Sequence, residues 1–259
     1  MQTDRPMVMQ VRVIFALMMR EMTTRYGNNP GGYVWALLEP LGMVAMLAFV
    51  FSFLARRPAL GESFPVFFAS GFLIFHLYRT LSSAISGSIR SNRALLSFPR
   101  VTLLDTIIAR SLLEAATSIL VMALILTGLI VAYAEPVLLD VERIALAVGL
   151  ALLLGFGVGL LNAVLFNYFE VWRTVFKIIN RPLFIISGVF FLYEDMPRLA
   201  QQILWWNPLI HITALMRTGL YPTYEPTWAS PLYVVYFACV PLTLGIMLLR
   251  VLRAEMLES

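Results

Sequence analysis

Charge is scarce in this chain: Asp, Glu, Lys and Arg together make up 13% of its 259 residues, while 60% are hydrophobic. A soluble domain carries about 25% charged residues, so the composition excludes an ordinary soluble chain and points to an integral membrane protein. The single cysteine, Cys239, lies in an apolar block and excludes a disulfide framework or a cysteine metal cluster. The two histidines, His76 and His211, sit in different segments without a neighbouring Cys or acid cluster, which leaves little for a metal site or a catalytic triad. The single lysine, Lys177, is followed by Ile178 and preceded by none of the glycines of a Gly-x-x-x-x-Gly-Lys-Ser/Thr loop. The chain is therefore not itself an ATPase, and no cofactor or metal is expected on it. The first 30 residues also lack a short apolar core ending in a small-residue cleavage site, which predicts no removable signal peptide and a cytoplasmic amino terminus.

What the chain does have is long apolar blocks. Six are candidates to cross a hydrocarbon layer about 30 Å thick, which takes about 20 helical residues: 33–54, 65–87, 105–133, 144–167, 176–193 and 231–250. The fifth is short and is interrupted by Arg181-Pro182 and Ser187-Gly188, which predicts a kink or an incomplete crossing. The net charge of +4 comes from 18 arginines and one lysine against 15 acids. With the amino terminus inside, 11 of these cations fall in cytoplasmic segments and five in outer ones (Arg56, Arg57, Arg143, Arg198 and Arg217), a bias that puts both termini inside. The expected fold is all-α, one transmembrane domain over 1–259.

Three segments lie outside the spans. Residues 7–27 carry an apolar stripe of Val11, Phe15, Met18 and Met22 with Arg12, Arg20 and Thr23 on another face, the pattern of a helix lying in the membrane interface with cations toward lipid phosphates or a partner. Asn28-Asn29-Pro30-Gly31-Gly32 then breaks it. Residues 88–100 are too polar to cross, yet Ile89, Leu95, Leu96 and Phe98 supply an apolar side and Pro99 a stop, so a short cytoplasmic helix is predicted. In 194–229, Asn207-Pro208 reads as a helix start, and Trp205 and Trp206 fit an interfacial belt. Two short helices dipping into the outer leaflet would use this composition.

Polar residues inside spans need partners, because an unpaired charge at mid-membrane costs about 2.5–3.5 kcal/mol or more. Glu39 lies about 9 Å into the first span and Arg79 about 12 Å into the second, so an intramembrane ion pair between them is predicted. Arg110 and Glu114, four apart, can pair along one helix face. The Gly155–Gly159 spacing permits close helix approach. Asn162, Asn167, Arg173, Lys177 and Arg181 collect at one end of spans four and five, either along a polar pathway or as helix-end anchors.

The ordered set Arg25-Tyr26, Gly32-Tyr33-Val34-Trp35, Glu39-Pro40, Asp105-Thr-Ile-Ile-Ala-Arg-Ser-Leu-Leu-Glu114, Trp206-Asn-Pro-Leu-Ile-His211 and Ala254-Glu-Met-Leu-Glu-Ser259 resembles the membrane subunits of type-two ABC exporters for polysaccharides. The likeness is greatest to the capsular polysaccharide export permeases of Gram-negative bacteria, and it covers essentially the whole chain. One departure is the Asn28-Asn29-Pro30 turn, where the family pattern implies a more basic stretch. The resemblance implies a homodimer in the inner membrane, bound to two copies of a separate ATPase that carries ATP and Mg. It further implies a periplasmic co-polymerase and an outer-membrane channel as partners, no nucleic acid, and an acidic, lipid-linked capsule polymer as substrate. Residues 7–27 would be the interface helix with Arg20 and Arg25, and 88–100 would hold the coupling helix with Arg90, Arg93, Leu95, Leu96 and Phe98. The helices in 194–222 would gate the pore.

On that reading Arg173, Lys177 and Arg181 would hold anionic groups, while Phe184, Phe190, Phe191, Tyr193, Trp205 and Trp206 would stack on sugar faces. Taken singly, most of these rings also suit a lipid-facing belt or a bundle core. Three rival readings remain: a permease for a small drug-like molecule, a membrane glycosyltransferase or lipid-modifying enzyme, and a passive channel.

Overall fold

A computed structural model of the chain describes residues 6–26, 32–54, 57–92 and 102–251, and among these the only regular structure is helical. The helices described are α1 (Pro6–Tyr26), α2 (Gly32–Leu54), α3 (Phe64–Ser86), α4 (Ser88–Ser91), α5 (Leu103–Tyr133), α6 (Val141–Tyr168), α7 (Glu170–Ile185), α8 (Arg198–Leu204), α9 (Pro208–Thr218) and α10 (Pro231–Val251), with a 3-10 turn at Tyr193–Asp195. Among the described residues five helices are long and apolar enough to cross a membrane: α2, α3, α5, α6 and α10.

The least apolar of these five is also the most enclosed. In α3 72% of the spanning window is buried, against 22% in α2 and 28% in both α5 and α10. Ser70, Ser82 and Ser86 are buried on α3, and intramembrane polar groups persist where neighbouring helices satisfy them. Around α3 pack α2, α5, α6 and α9, and α10 closes on α6.

Close packing on α6 depends on three glycines. A Cβ at Gly155 would come within 3.2 Å of the Tyr78 carbonyl oxygen, and one at Gly159 within 2.8 Å of Ile85 Cβ, both on α3. A Cβ at Gly157 would meet the Ala238 carbonyl oxygen of α10 at 2.8 Å. Consecutive odd positions thus serve two neighbours on two sides of one helix, so the close approach expected at Gly155 and Gly159 extends to a third glycine. Lipid supplies no hydrophobic drive between helices, so such contacts are what bring them together.

The fifth block, placed at 176–193 and expected to kink or to cross incompletely, holds a short helix with earlier bounds. This helix, α7, covers Glu170–Ile185 and has 16 residues, about 24 Å at 1.5 Å per residue and short of the hydrocarbon thickness. Beyond it the chain turns through 186–192, with Gly188 at φ 74°, a conformation that glycine adopts without the Cβ clash. Irregular backbone at this depth needs its carbonyls satisfied inside the protein. Asn207 Nδ2 donates to the Ile186 carbonyl at 3.0 Å, and Arg217 donates to those of Val189 at 3.2 Å and Phe191 at 3.1 Å.

Helix starts follow local chemistry. Thr102 and Asp105 form a reciprocal capping box on α5, and Asp140 caps α6 by accepting from the Arg143 N–H at 3.1 Å. The predicted Asn207-Pro208 start is present, with Asn207 Oδ1 accepting from the Leu209 N–H at 3.0 Å. The helix it opens, α9, is buried among α3, α6 and α10 along nearly its whole length.

Helix α1 packs along α5. Leu17 is buried there, while Val11, Phe15 and Met19 stay exposed. An exposed apolar side beside a packed one is what an interfacial helix presents.

Candidate functional site

One face of α7 and the polar side of α3 flank an open cavity of about 1210 Å³. Helix periodicity builds its charged wall, because Arg173, Lys177 and Arg181 are spaced by four and so share one face of α7. Arg79 from α3, Arg20 from α1 and Arg110 from α5 complete a set of six cations, and Glu21 is the one carboxylate among the lining residues. Such a wall concentrates positive potential in the cavity and favours anions. Arg173 Nη2 donates to the Phe166 carbonyl at 3.5 Å, and its guanidinium carbon lies 5.6 Å from the Phe166 ring centre.

Aromatic rings close the end of the cavity nearer α9. Phe184 stands 5.2 Å from Phe75, 6.0 Å from Phe72 and 5.0 Å from Phe190, centre to centre. Ser82, Ser83 and Ser86 of α3 add hydroxyl groups to the wall, and Ser82 Oγ is buried with no hydrogen-bond partner.

The other end is a polar knot between α1, α4 and α5. Arg20 Nη1 donates to Asn92 Oδ1 at 3.1 Å, Asn92 Nδ2 donates to Glu21 Oε1 at 3.0 Å, and Arg110 Nη1 lies 3.6 Å from the same carboxylate oxygen. Arg110 Nη1 also donates to Ser91 Oγ. Arg110 thus meets Glu21 across the bundle rather than Glu114 one turn on, because Glu114 is buried on the packing side of α5.

Of the residues singled out in sequence, Arg173, Lys177, Arg181, Phe184 and Phe190 converge on this cavity. Tyr193, Trp205 and Trp206 do not line it. Tyr193 stacks on Trp228 with ring centres 4.0 Å apart, and Trp205 packs against Tyr233 and His211. Trp206 is exposed, and Phe191 offers its carbonyl to Arg217. Tyr193 and Trp205 are thus taken up in ring packing with Trp228, Tyr233 and His211.

Arg79 Nη2 and Glu39 Oε1 stand 3.7 Å apart, with side chains 48% and 71% exposed in the single chain. Arg20, expected to face lipid phosphates or a partner, instead reaches Asn92 and lines the cavity. Arg90 is exposed on α4. Arg93, Leu95, Leu96 and Phe98, and the Arg25 side chain, lie outside the described residues.

Three features escape sequence reading. Glu21, Ser91, Asn92 and Arg110 come from three helices, and only their fold joins them. Phe72, Phe75, Phe166 and Phe176 read as ordinary span residues. Arg217, read as an outer-segment cation, is 2% exposed, with its guanidinium carbon 4.3 Å from the Phe67 ring centre. An arginine inside the apolar pattern of α9 was the signal available. Burial pushes its pKa down to about 10, opposed by the nearby Tyr224, Tyr221 and Glu194, so it keeps its charge at neutral pH.

Beside Arg217, Glu194 accepts from Trp228 Nε1 at 2.7 Å and from the Tyr224 hydroxyl at 3.2 Å. Burial, with the Glu194 carboxylate next in importance, raises the pKa of Tyr224. It therefore acts as a neutral donor.

Comparison with known proteins agrees with this architecture. The sequence profile of the family described as "ABC-2 type transporter" matches residues 12–221. The chain is 35% identical over 246 residues to the polysialic acid transport protein KpsM of Escherichia coli, covering 94% of this chain and 95% of that one. It is 31% identical over 240 residues to the capsule polysaccharide export inner-membrane protein CtrC of Neisseria meningitidis (93% and 91% covered). To the protein of the same description, BexB, from Haemophilus influenzae, it is 31% identical over 244 residues (94% and 92% covered).

Proposed function

The chain belongs to the ABC-2 type transporter family, and on that premise we propose that it forms the pore of an ATP-driven exporter. Its cargo is a lipid-linked acidic capsular polysaccharide, moved across the bacterial inner membrane. That it is a transporter permease, with ATP hydrolysis on a separate subunit, accords with its family and relatives and with the missing P-loop. The observation that carries the substrate class is the cavity itself, where six cations and a cluster of phenylalanines line about 1210 Å³. Guanidinium groups pair with carboxylate or phosphate through charge-assisted hydrogen bonds, and aromatic faces take the apolar faces of sugar rings.

The rest of the assembly follows from the same reading. Two copies form the pore, two ATPase subunits bearing ATP and Mg dock at 88–100, and both termini lie in the cytoplasm. A periplasmic co-polymerase and an outer-membrane channel continue the path. Helix α7 with the turn after it supplies the short sixth crossing that an even number requires, and α8 and α9 act as the outer gate. Support for the orientation is the excess of cations, 11 to five, in the segments assigned to the cytoplasm.

Combined substitution of Arg173, Lys177 and Arg181 by glutamine tests the proposal. Surface capsule should fall at least about tenfold in cells that make the polymer, while the variant still co-purifies with the ATPase. Undiminished export would overturn the acidic-polymer reading and favour a permease for small hydrophobic molecules.

A further inference from the structure

Helix α7 carries Arg173, Lys177 and Arg181 to the cavity, yet within the chain it buries none of its own residues, and Val171, Ile178 and Ile185 on it are exposed. Core packing therefore does not set which way this helix faces; its ends do. The outer end runs into the turn that Asn207 and Arg217 hold. At the inner end α6 stops at Tyr168, Phe169 takes an extended conformation (φ −126°, ψ 95°), and α7 begins at Glu170. Just past that corner Trp172 Nε1 donates to Asn162 Oδ1 at 2.8 Å. Asn162 is 3% exposed on α6, and a hydrogen bond shielded from water is costly to leave unmade. Neither residue lines the cavity. Other contacts at this corner belong to residues that do: Arg173 reaches the Phe166 carbonyl at 3.5 Å, and the Phe176 ring stands 5.9 Å from that of Phe166.

We propose that Asn162 and Trp172 are a positioning pair, which sets the rotation of α7 about its own axis and so presents its three cations to the cargo together. The proposal rests on reading the cavity as the path of an acidic polymer. Successive residues of an α-helix lie about 100° apart round its axis, so holding Trp172 fixes the bearing of Arg173, and those of Lys177 and Arg181 follow one turn at a time. The three charges are spaced by about 6 Å along the axis at 1.5 Å per residue. A polymer paired with one of them meets the next at high effective concentration, and it gains from this only while all three face the cavity. Without the Trp172 bond α7 can turn between the corner and the outer turn. Each cation still pairs singly with an anion, and the joint gain is lost. Because the pair stands outside the cavity, cargo does not compete for it.

The test titrates the permease with its ATPase subunit, in nanodiscs of zwitterionic lipid, with a labelled sialic acid dimer and a labelled hexamer, read by anisotropy. Trp172→Phe keeps an aromatic ring and removes the N–H. This variant and Asn162→Leu should each weaken hexamer binding about tenfold and dimer binding less than about threefold, since only the longer probe spans all three cations. The double variant should bind no more weakly than either single one, because each change removes the same bond. Equal losses for the two probes would mean that the pair maintains the fold rather than the orientation, and multiplied losses in the double variant would mean two separate roles; either result overturns the proposal. Should Asn162→Leu fail to assemble, the two losses in W172F decide alone. A variant carrying Arg173→Gln and Arg181→Gln separates the proposal from the reading beneath it. If that variant weakens hexamer binding while W172F leaves it unchanged, the positioning pair falls and the cavity reading stands. If the hexamer binds the unsubstituted complex and the doubly neutralised one alike, or binds neither, both fall.

Discussion

Arg217 Nη2 donates to the Val189 carbonyl across 3.2 Å, and so α9 holds shut the turn that ends α7, 28 residues earlier. The same guanidinium reaches the Phe191 carbonyl and lies over the Phe67 ring. A lysine carries the charge but not the fork that serves two carbonyls at once. Arg217→Lys should therefore lower unfolding stability by about 2 kcal/mol, and Arg217→Ala by about 3–5 kcal/mol, since removal leaves buried carbonyls unpaired. Thermal unfolding of the purified permease in detergent measures both, and a loss under about 1 kcal/mol for the alanine variant would contradict the pinning role.

Gly157 and Gly42 make a matched pair of substitutions. A methyl at Gly157 would press on backbone of α10, with the Ala238 carbonyl oxygen at 2.8 Å, whereas one at Gly42 meets nothing within 4 Å. Gly157→Ala should destabilise by about 1–3 kcal/mol through overpacking, and Gly42→Ala should be neutral or slightly stabilising. The same unfolding assay ranks them, and equal effects would mean that α6 and α10 can separate without loss.

His211 should make the protein acid-sensitive. Its Nε2 lies 2.8 Å from the Trp205 carbonyl and its Nδ1 accepts from the Ser230 N–H at 3.1 Å, an arrangement that suits the neutral ring with the proton on Nε2. Burial lowers its pKa from the ordinary 6.5, opposed by the hydrogen bond to Trp205. The unfolded chain then binds the proton more readily, so the contribution of His211 is whole above about pH 6.5 and is lost as the pH falls toward the lowered value. The midpoint of thermal unfolding should drop between pH 7.5 and 5, as the unfolding free energy loses up to about 1.4 kcal/mol per pH unit below pH 6.5. His211→Gln should flatten part of that slope.

Glu39 and Arg79 make one 3.7 Å contact between half-exposed and largely exposed side chains. A double-mutant cycle with Glu39→Gln and Arg79→Gln in detergent should give a coupling below about 1 kcal/mol, as for exposed pairs. The same cycle in a bilayer, where lipid or a second subunit desolvates the pair, should give a larger value. Equal couplings in the two media would show that water reaches the pair in both.

The readings that succeeded from sequence were local or periodic. Apolar blocks located α2, α3, α5, α6 and α10, because length and hydropathy are set residue by residue. Asn207-Pro208 announced α9, because capping is a matter of adjacent atoms. The fifth block was legible as an interrupted segment from Arg181-Pro182 and Ser187-Gly188, but its bounds were not, for a physical reason. Residues 186–192 are apolar enough to extend a span, but they turn back once Arg217 and Asn207, far along the chain, satisfy their carbonyls.

Tyr193, Trp205 and Trp206 show the same limit for side chains. An aromatic residue near a membrane end suits a belt, a core or a sugar platform equally well, and only its neighbours select among them. The sequence by itself determined that this chain lives in a membrane, through its composition, and which helices are apolar enough to cross it, through its apolar blocks. Tertiary structure decided what the polar minority does. Arg20, Glu21, Asn92 and Arg110 are dispersed over 91 residues of sequence, and packing of α1, α4 and α5 brings them to one wall. Electrostatic and hydrogen-bonding interactions depend on distances of a few ångströms, which separation along the chain does not specify.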